Sequence, residues 1–416
     1  MIIFNVAIID ADLIGRKKHR FPNLACMKIS GYIKSQGNNV KLITNYKDLY
    51  SDENIWIEYQ NALSNYINKQ NNITNKLLSK KMIPCFQKQN FKYDKIFISK
   101  VFTDTQIDED FLQLDFVEYG GTGFFYDKAE PLPGYIEHHK PDYHLYDDWV
   151  KEQIKTGSNK KDFKYYTDYS IGFTTRGCFR KCEFCVNKNY NHVVLHSSIK
   201  EFLDIDRKYI CLLDDNILGY SRWKDIINEL KSTNKYFQFK QGMDERLMTE
   251  EKAELLTSCK YIGDYIFAFD NIADKELIKK KLTIWKKYCT KTTKLYVFCG
   301  FDRKDEWNKD FWIQDIIDTF ERIKILMQFG CIPYIMRFNK YIESPYKGIY
   351  INLAAWCNQP NFFKKKSFRE WCIADAERRT SKMCSSLKYM QKFEKDHPEI
   401  AEEYFDLKFE KLNKYK

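Results

Sequence analysis

The sequence predicts an α/β chain built of two successive strand–helix regions and a helical tail. Three observations carry this prediction. The chain opens on a largely apolar run followed by a helix-patterned segment. Strand and helix patterns then alternate regularly through residues 169–345, and beyond them the pattern turns helical and basic. With 416 residues, 44% of them hydrophobic, the chain is long enough for more than one core.

In the first region, residues 2–9 form an apolar run broken at Asn5 alone, the mark of a parallel strand buried on both faces. A helix begins near Pro22, with Leu24, Met27, Lys28, Gly31 and Tyr32 at helical spacing. Pro22 suits a first turn and Gly37 a stop. Residues 40–44 give a second strand. Residues 51–92, rich in Asn and Lys, read as an insertion. Residues 93–101 give a third strand, and 116–123 (FVEYGGTG) a fourth that ends in a glycine turn. These elements make a Rossmann-like domain over residues 1–124. Pro131, Pro133 and Pro141, set among Tyr, His and Asp, give residues 125–168 the composition of a linker.

Across residues 169–345 six strand patterns alternate with helix patterns. The strands fall near 170–174, 209–214, 236–242, 265–270, 294–301 and 332–338. The helices fall near 198–207, 223–232, 249–259, 274–288 and 312–329. Short connections between such units demand a parallel sheet with right-handed crossovers. Six units suit either an open sheet or a partial barrel. Residues 346–416 read as a C-terminal helical region.

Bulk properties narrow the function classes. No apolar stretch is long enough to span a membrane. The N-terminus lacks a basic n-region and reads as a strand, not a signal peptide. Thirteen cysteines without an export signal predict a cytoplasmic, reducing setting. Cys26, Cys211, Cys299 and Cys331 stand singly in apolar runs and read as core thiols. The net charge of +11 is spread along the chain, so it gives only weak support for a nucleic-acid partner.

Three cysteines fall close together, in GFTTRGCFRKCEFCVNKNY, spaced Cys178-x3-Cys182-x2-Cys185. The loop follows a predicted strand directly, at the sheet end where parallel α/β folds bind ligands. Three thiolates on one tight loop can hold three irons of a 4Fe–4S cubane and leave the fourth iron open. Gly177 gives the backbone room, and Arg176, Arg180 and Lys181 offset negative charge. A zinc site is the alternative; it needs a fourth ligand, for which His192 or His196 stands near. Cys357, Cys372 and Cys384 are too widely spaced to read as a second cluster motif.

This motif, placed after the first of six strand–helix units, resembles that of the radical S-adenosylmethionine (radical SAM) superfamily. Phe184 matches the aromatic residue that often precedes the third cysteine. The resemblance covers roughly residues 165–345. It implies a (βα)6 partial TIM barrel, a 4Fe–4S cluster on Cys178, Cys182 and Cys185, and S-adenosylmethionine chelated to the open iron. It implies reductive cleavage to a 5′-deoxyadenosyl radical, with electrons from an external donor such as flavodoxin or ferredoxin. Asp214, Asp215 and Asn216 occupy the second strand end, where the family contacts the cofactor's amino group through a Gly-Gly-Glu-like motif. The two glycines are missing here.

The third strand end places Gln241, Asp244 and Arg246 at the rim as cofactor-binding candidates. A carboxylate suits ribose hydroxyls and a guanidinium suits a carboxylate; a salt-bridged rim is the alternative. Asp270 ends the fourth strand, Asp302 the fifth, and Arg337 and Asn339 the sixth.

The first domain resembles the cobalamin-binding domain of one radical SAM subgroup. Asp10-x-Asp12-x-x-Gly15 stands where that domain carries Asp-x-His-x-x-Gly. Asp12 replaces the cobalt-ligating His, which excludes ligation by that route, and His19 lies off register. Cobalamin binding itself stays open: with it the chemistry is methyl transfer, without it hydrogen abstraction. The rivals are a non-catalytic iron–sulfur or zinc protein and a tRNA-modifying radical enzyme. The latter usually carries a second cysteine triad and an RNA-binding domain, and neither is seen. No substrate and no catalytic acid or base is legible.

Overall fold

The computed structural model describes residues 3–16, 19–68, 83–107, 109–378 and 386–415. Strand Asn5–Asp10 sits inside a four-stranded parallel sheet. The order is Asn39–Ile43, Asn5–Asp10, Lys95–Ser99, Val117–Gly120. Side chains alternate across a strand, so Val6 and Ile8 enter one core and Ala7 and Ile9 the opposite one. Both faces are covered, which is why this strand has no polar alternation. Helix Leu24–Ser35 covers the first face with Cys26, Met27, Ile29 and Ile33. Asn23 caps it by accepting from the Cys26 N–H, so Pro22 stands just before the cap. Gly37, at φ +80°, ends it in the left-handed conformation. The second face is covered by Leu49, Tyr50, Phe91 and Phe111. Helix Glu53–Asn68, in the expected insertion, packs Ile55 and Trp56 there; residues 69–82 of that insertion lie outside the described residues.

Residues 125–168 depart from the linker reading. Helix Asp147–Lys155 forms there, and Tyr143, Tyr146, Val150, Phe163 and Tyr166 are buried in the first core. The prolines are confined to the start of the segment, and the aromatic residues behind them bury too much apolar surface to stay in solvent. Arg207, also buried, donates to the carbonyls of Tyr143, Tyr166 and Tyr169 and ties the segment down.

The chain divides into two units, residues 1–172 with 197–210, and residues 173–196 with 211–416. Strand Tyr209–Leu212 begins in the first, where the Tyr209 N–H donates to the Asp168 carbonyl. It ends in the second, where the Lys240 N–H donates to the Leu212 carbonyl. Strands Tyr265–Ala268, Thr293–Cys299 and Ile332–Arg337 form a parallel sheet in the second unit. Parallel bridges pair Phe237 with Tyr261 and Met243 with Phe267. Helices Trp223–Ser232, Glu250–Thr257, Lys275–Tyr288 and Lys309–Gln328 alternate with the strands. The chain is thus mixed α/β with parallel sheets.

The helix expected over 198–207 shrinks to Ile199–Phe202. Leu203 turns extended, and the Asp204 N–H then reaches the Ser170 hydroxyl. Helices Lys347–Cys357, Phe368–Arg378 and Ser386–Asp396 make the C-terminal region, with Trp356 packed on Phe368. Cys357 and Cys372 are buried there as core thiols, whereas Cys384 lies outside the described residues. Cys26, Cys211, Cys299 and Cys331 are buried too.

Candidate metal centre

The cysteine loop leaves the sheet through a two-residue ribbon, Thr175–Arg176 against Val194–Leu195. Gly177 follows at φ +91°, where an added Cβ would stand 2.6 Å from the Tyr190 side chain. Only glycine fits this turn.

Two carboxylates from the end of strand Tyr209–Leu212 clasp the loop. Asp214 accepts from the Thr174 N–H and hydroxyl (3.2 and 2.5 Å) and from the Thr175 N–H and hydroxyl (2.6 and 2.7 Å). Burial pushes this carboxyl up, against the four bonds that pull it down. Asp215 accepts from the Gly177 N–H at 2.7 Å and from the Asn187 amide. The strand expected to run to residue 214 stops at Leu212, and the next residues to follow Leu213 turn their carboxylates onto the neighbouring loop.

The thiols of Cys178, Cys182 and Cys185 are half-buried, unlike the buried core thiols. The Arg180 N–H points at the Cys178 sulfur and the Asn187 N–H at the Cys185 sulfur, each at 3.4 Å. The Asn216 amide also donates to the Cys178 sulfur, at 3.3 Å. Burial raises the Cys182 and Cys185 thiols, with Asp270 adding to the effect at Cys182. Among the described residues no three His, Cys, Asp or Glu side chains already converge as an ion site. What the loop supplies is a donor set: three accessible thiols with N–H groups aimed at two of the sulfurs. That chemistry fits an iron–sulfur group.

The cations expected to offset cluster charge are partly committed elsewhere. Arg180 pairs with Asp244 at 2.6 Å, and the Lys181 ammonium donates to the Lys188 carbonyl at 2.5 Å. Asp244 also accepts from Arg246 at 2.7 Å, and Arg246 reaches Asp274 at 2.9 Å. Asp244 and Arg246 thus form the salt-bridged rim, joined to the cysteine loop through Arg180. Gln241 is exposed and is not drawn into this network. Phe184 packs on Phe298 and Phe301, at 4.3 and 5.8 Å between ring centres, and pins the loop to the end of strand Thr293–Cys299. Asp270 and Asp302 line one open cavity of about 530 Å³ together with Phe301, Asp315 and Arg322.

Several of these partners were not singled out in the sequence. Thr174, Thr175 and Asn187 carry no spacing signal. Arg322 does: it sits on the buried stripe of helix Lys309–Gln328 with Trp312, Ile316 and Thr319. There it donates to the carbonyls of Phe269, Asp270 and Phe298. Glu245, also missed, is fully buried, and neither of its carboxylate oxygens has a hydrogen-bond partner among the described residues.

In the first unit strand Asn5–Asp10 runs straight into the short helix Ala11–Gly15, where the sequence suggested a loop, and this strand end is closed. Asp12 is buried and accepts from the Val101 and Phe102 N–H groups (2.7 and 3.4 Å) and the Thr105 hydroxyl (2.5 Å). Asp12 is therefore spent on a neighbouring loop. Asp10, beside it, accepts from Tyr146 and the Leu13 N–H, and burial lifts its carboxyl to about 7.

No protein-family model matches this chain, and no curated protein matches it. Among solved structures, it aligns with the radical S-adenosylmethionine methyltransferase TsrM from Kitasatospora setae, bound to cobalamin and a [4Fe-4S] cluster. The identity is 10%, over 81% of this chain and 72% of that one, with a TM-score of 0.46. It also aligns with the cobalamin-dependent S-adenosylmethionine radical enzyme OxsB, at 13% identity and a TM-score of 0.34. That alignment covers 99% of this chain, which spans 58% of OxsB.

Proposed function

We propose that this chain is a radical SAM enzyme that holds a 4Fe–4S cluster on Cys178, Cys182 and Cys185. One observation carries the reading. The three thiols of the Cys-x3-Cys-x2-Cys spacing are presented half-buried on a loop held from below by Asp214 and Asp215. A cluster held by these three thiols would supply the single electron for reductive cleavage of S-adenosylmethionine.

The chain's own residues do the rest. Asp214 and Asp215 fix the loop's entry, and Asp215 also holds Asn187 behind the third cysteine. Phe184 anchors the loop's middle on Phe298. Asn216 is buried, and its side-chain oxygen has no hydrogen-bond partner among the described residues, which leaves an acceptor beside Cys178 for the cofactor's amino group. Asp270, near Cys182 and lining the cavity, is the carboxylate to face the cofactor or substrate. Residues 169–345 are read as the (βα)6 partial barrel, fed by an external low-potential electron donor in the cytoplasm.

The test is anaerobic. The chain is reconstituted with iron and sulfide, then given dithionite and S-adenosylmethionine, and assayed for 5′-deoxyadenosine. Product from the parent and none from Cys178→Ala, Cys182→Ala or Cys185→Ala supports the reading. Tightly held zinc with no cluster overturns it in favour of a metal-binding protein. Added cobalamin decides the branch. Binding makes methyl transfer the chemistry, with no cobalt ligand from Asp12; no binding leaves hydrogen abstraction.

A further inference from the structure

Two of the N–H groups aimed at the loop's sulfurs come from the backbone and are set by the turn itself. The third comes from a side chain. The Asn216 amide nitrogen stands 3.3 Å from the Cys178 sulfur. It is held there firmly. Asn216 is 2% exposed, its carbonyl takes the Gly219 N–H, and Ile217 and Leu218 beside it are buried. Gly219 keeps the space open. A Cβ on it would stand 2.8 Å from the Phe179 ring and 3.3 Å from the Asn216 amide nitrogen.

An N–H donor on a thiolate draws electron density off the sulfur. It favours the form of an iron–sulfur group that carries one more negative charge, and so raises the reduction potential. We infer that Asn216 sets the reduction potential of the group held on Cys178, through its amide bond to the sulfur. This rests on the cluster reading above and goes beyond it, because it assigns Asn216 an electronic role and not only a contact with the cofactor. Placing the adjustable donor on a side chain lets one residue match the site to its electron donor without altering the cysteine loop.

The test is an anaerobic redox titration of the reconstituted full chain, followed by electron paramagnetic resonance of the reduced cluster. Asn216→Leu, which removes the donor, is expected to move the midpoint to more negative potential. Asn216→Asp keeps the shape, loses the N–H at neutral pH and adds charge, so it is expected to move it further. Gly219→Ala, which crowds the amide without deleting it, should give a smaller shift of the same sign. Thr175→Val loosens the Asp214 clasp without touching the sulfur and should leave the potential where it is. Unchanged midpoints in both Asn216 variants overturn the inference and leave the cluster reading intact. So does an equal shift in Thr175→Val, which makes loop loosening the cause. Loss of the cluster from all three variants at positions 216 and 219 reassigns Asn216 to assembly. Failure of the parent to take up any cluster overturns both readings.

Discussion

Two strand ends in this chain use the same device to opposite effect. After strand Asn5–Asp10, the carboxylate belongs to the connecting segment itself, the short helix Ala11–Gly15. Asp12 turns inward and takes the N–H groups and hydroxyl of residues 101–105. The strand end is thereby shut by the segment's own side chain. Ahead of the cysteine loop, the carboxylates come from the next strand. Asp214 and Asp215 take the loop's N–H groups from outside and leave its three cysteine side chains out of the clasp. A buried carboxylate that collects N–H groups can thus close a strand end or hold it open. What decides is which side of the contact supplies the acid.

The comparison can be broken by substitution, and the largest effect belongs to the cysteine loop. Asp214→Ala strips four donors of their acceptor in a buried setting. We expect a loss of roughly 3–5 kcal/mol and a failure to retain iron after reconstitution. Chemical denaturation and iron analysis check this, and a variant that keeps both would show that the clasp is dispensable. Asp12→Ala should cost about 2–4 kcal/mol by orphaning the Val101 N–H and the Thr105 hydroxyl. Cluster content of the folded fraction should stay at the parental level, because the acid serves only its own unit.

Asp10 sharpens the contrast through pH. Its carboxyl is lifted from 3.8 to about 7 by burial, so the folded chain holds this proton more tightly than the unfolded chain. Its contribution to stability is complete below about pH 4 and is lost as pH rises to about 7, by at most about 1.4 kcal/mol per pH unit. Denaturation midpoints measured across that window should show a fall that Asp10→Asn flattens. The smallest effect is that of Thr175→Val, which removes one of the four bonds to Asp214. It should cost about 1 kcal/mol and leave iron content unchanged.

Much of the site was legible because its chemistry is local. Cys178, Cys182 and Cys185 lie within one loop, so their spacing could be read directly, and the apolar run before Asp10 announced a strand covered on both faces. Asp214, Asp215 and Asn216 were also picked out, but not for what they do in the structure. Two of them hold the loop, and the third touches a sulfur. The linker reading of residues 125–168 failed for a related reason. Composition counts prolines and polar residues, while burial depends on where Tyr143, Tyr146 and Tyr166 find a surface to cover.

The sequence by itself determined the alternation of strands and helices, the position of the cysteine loop at a strand end, and the separation of three accessible thiols from the core ones. Periodicity and spacing are properties of neighbours along the chain, and they survive without a fold. Only the tertiary structure decided which carboxylate meets which N–H. Thr174 meets Asp214 across 40 positions and Arg180 meets Asp244 across 64. Such partners are chosen by strand order and burial, where an unpaired buried polar group costs more than any local preference can offset.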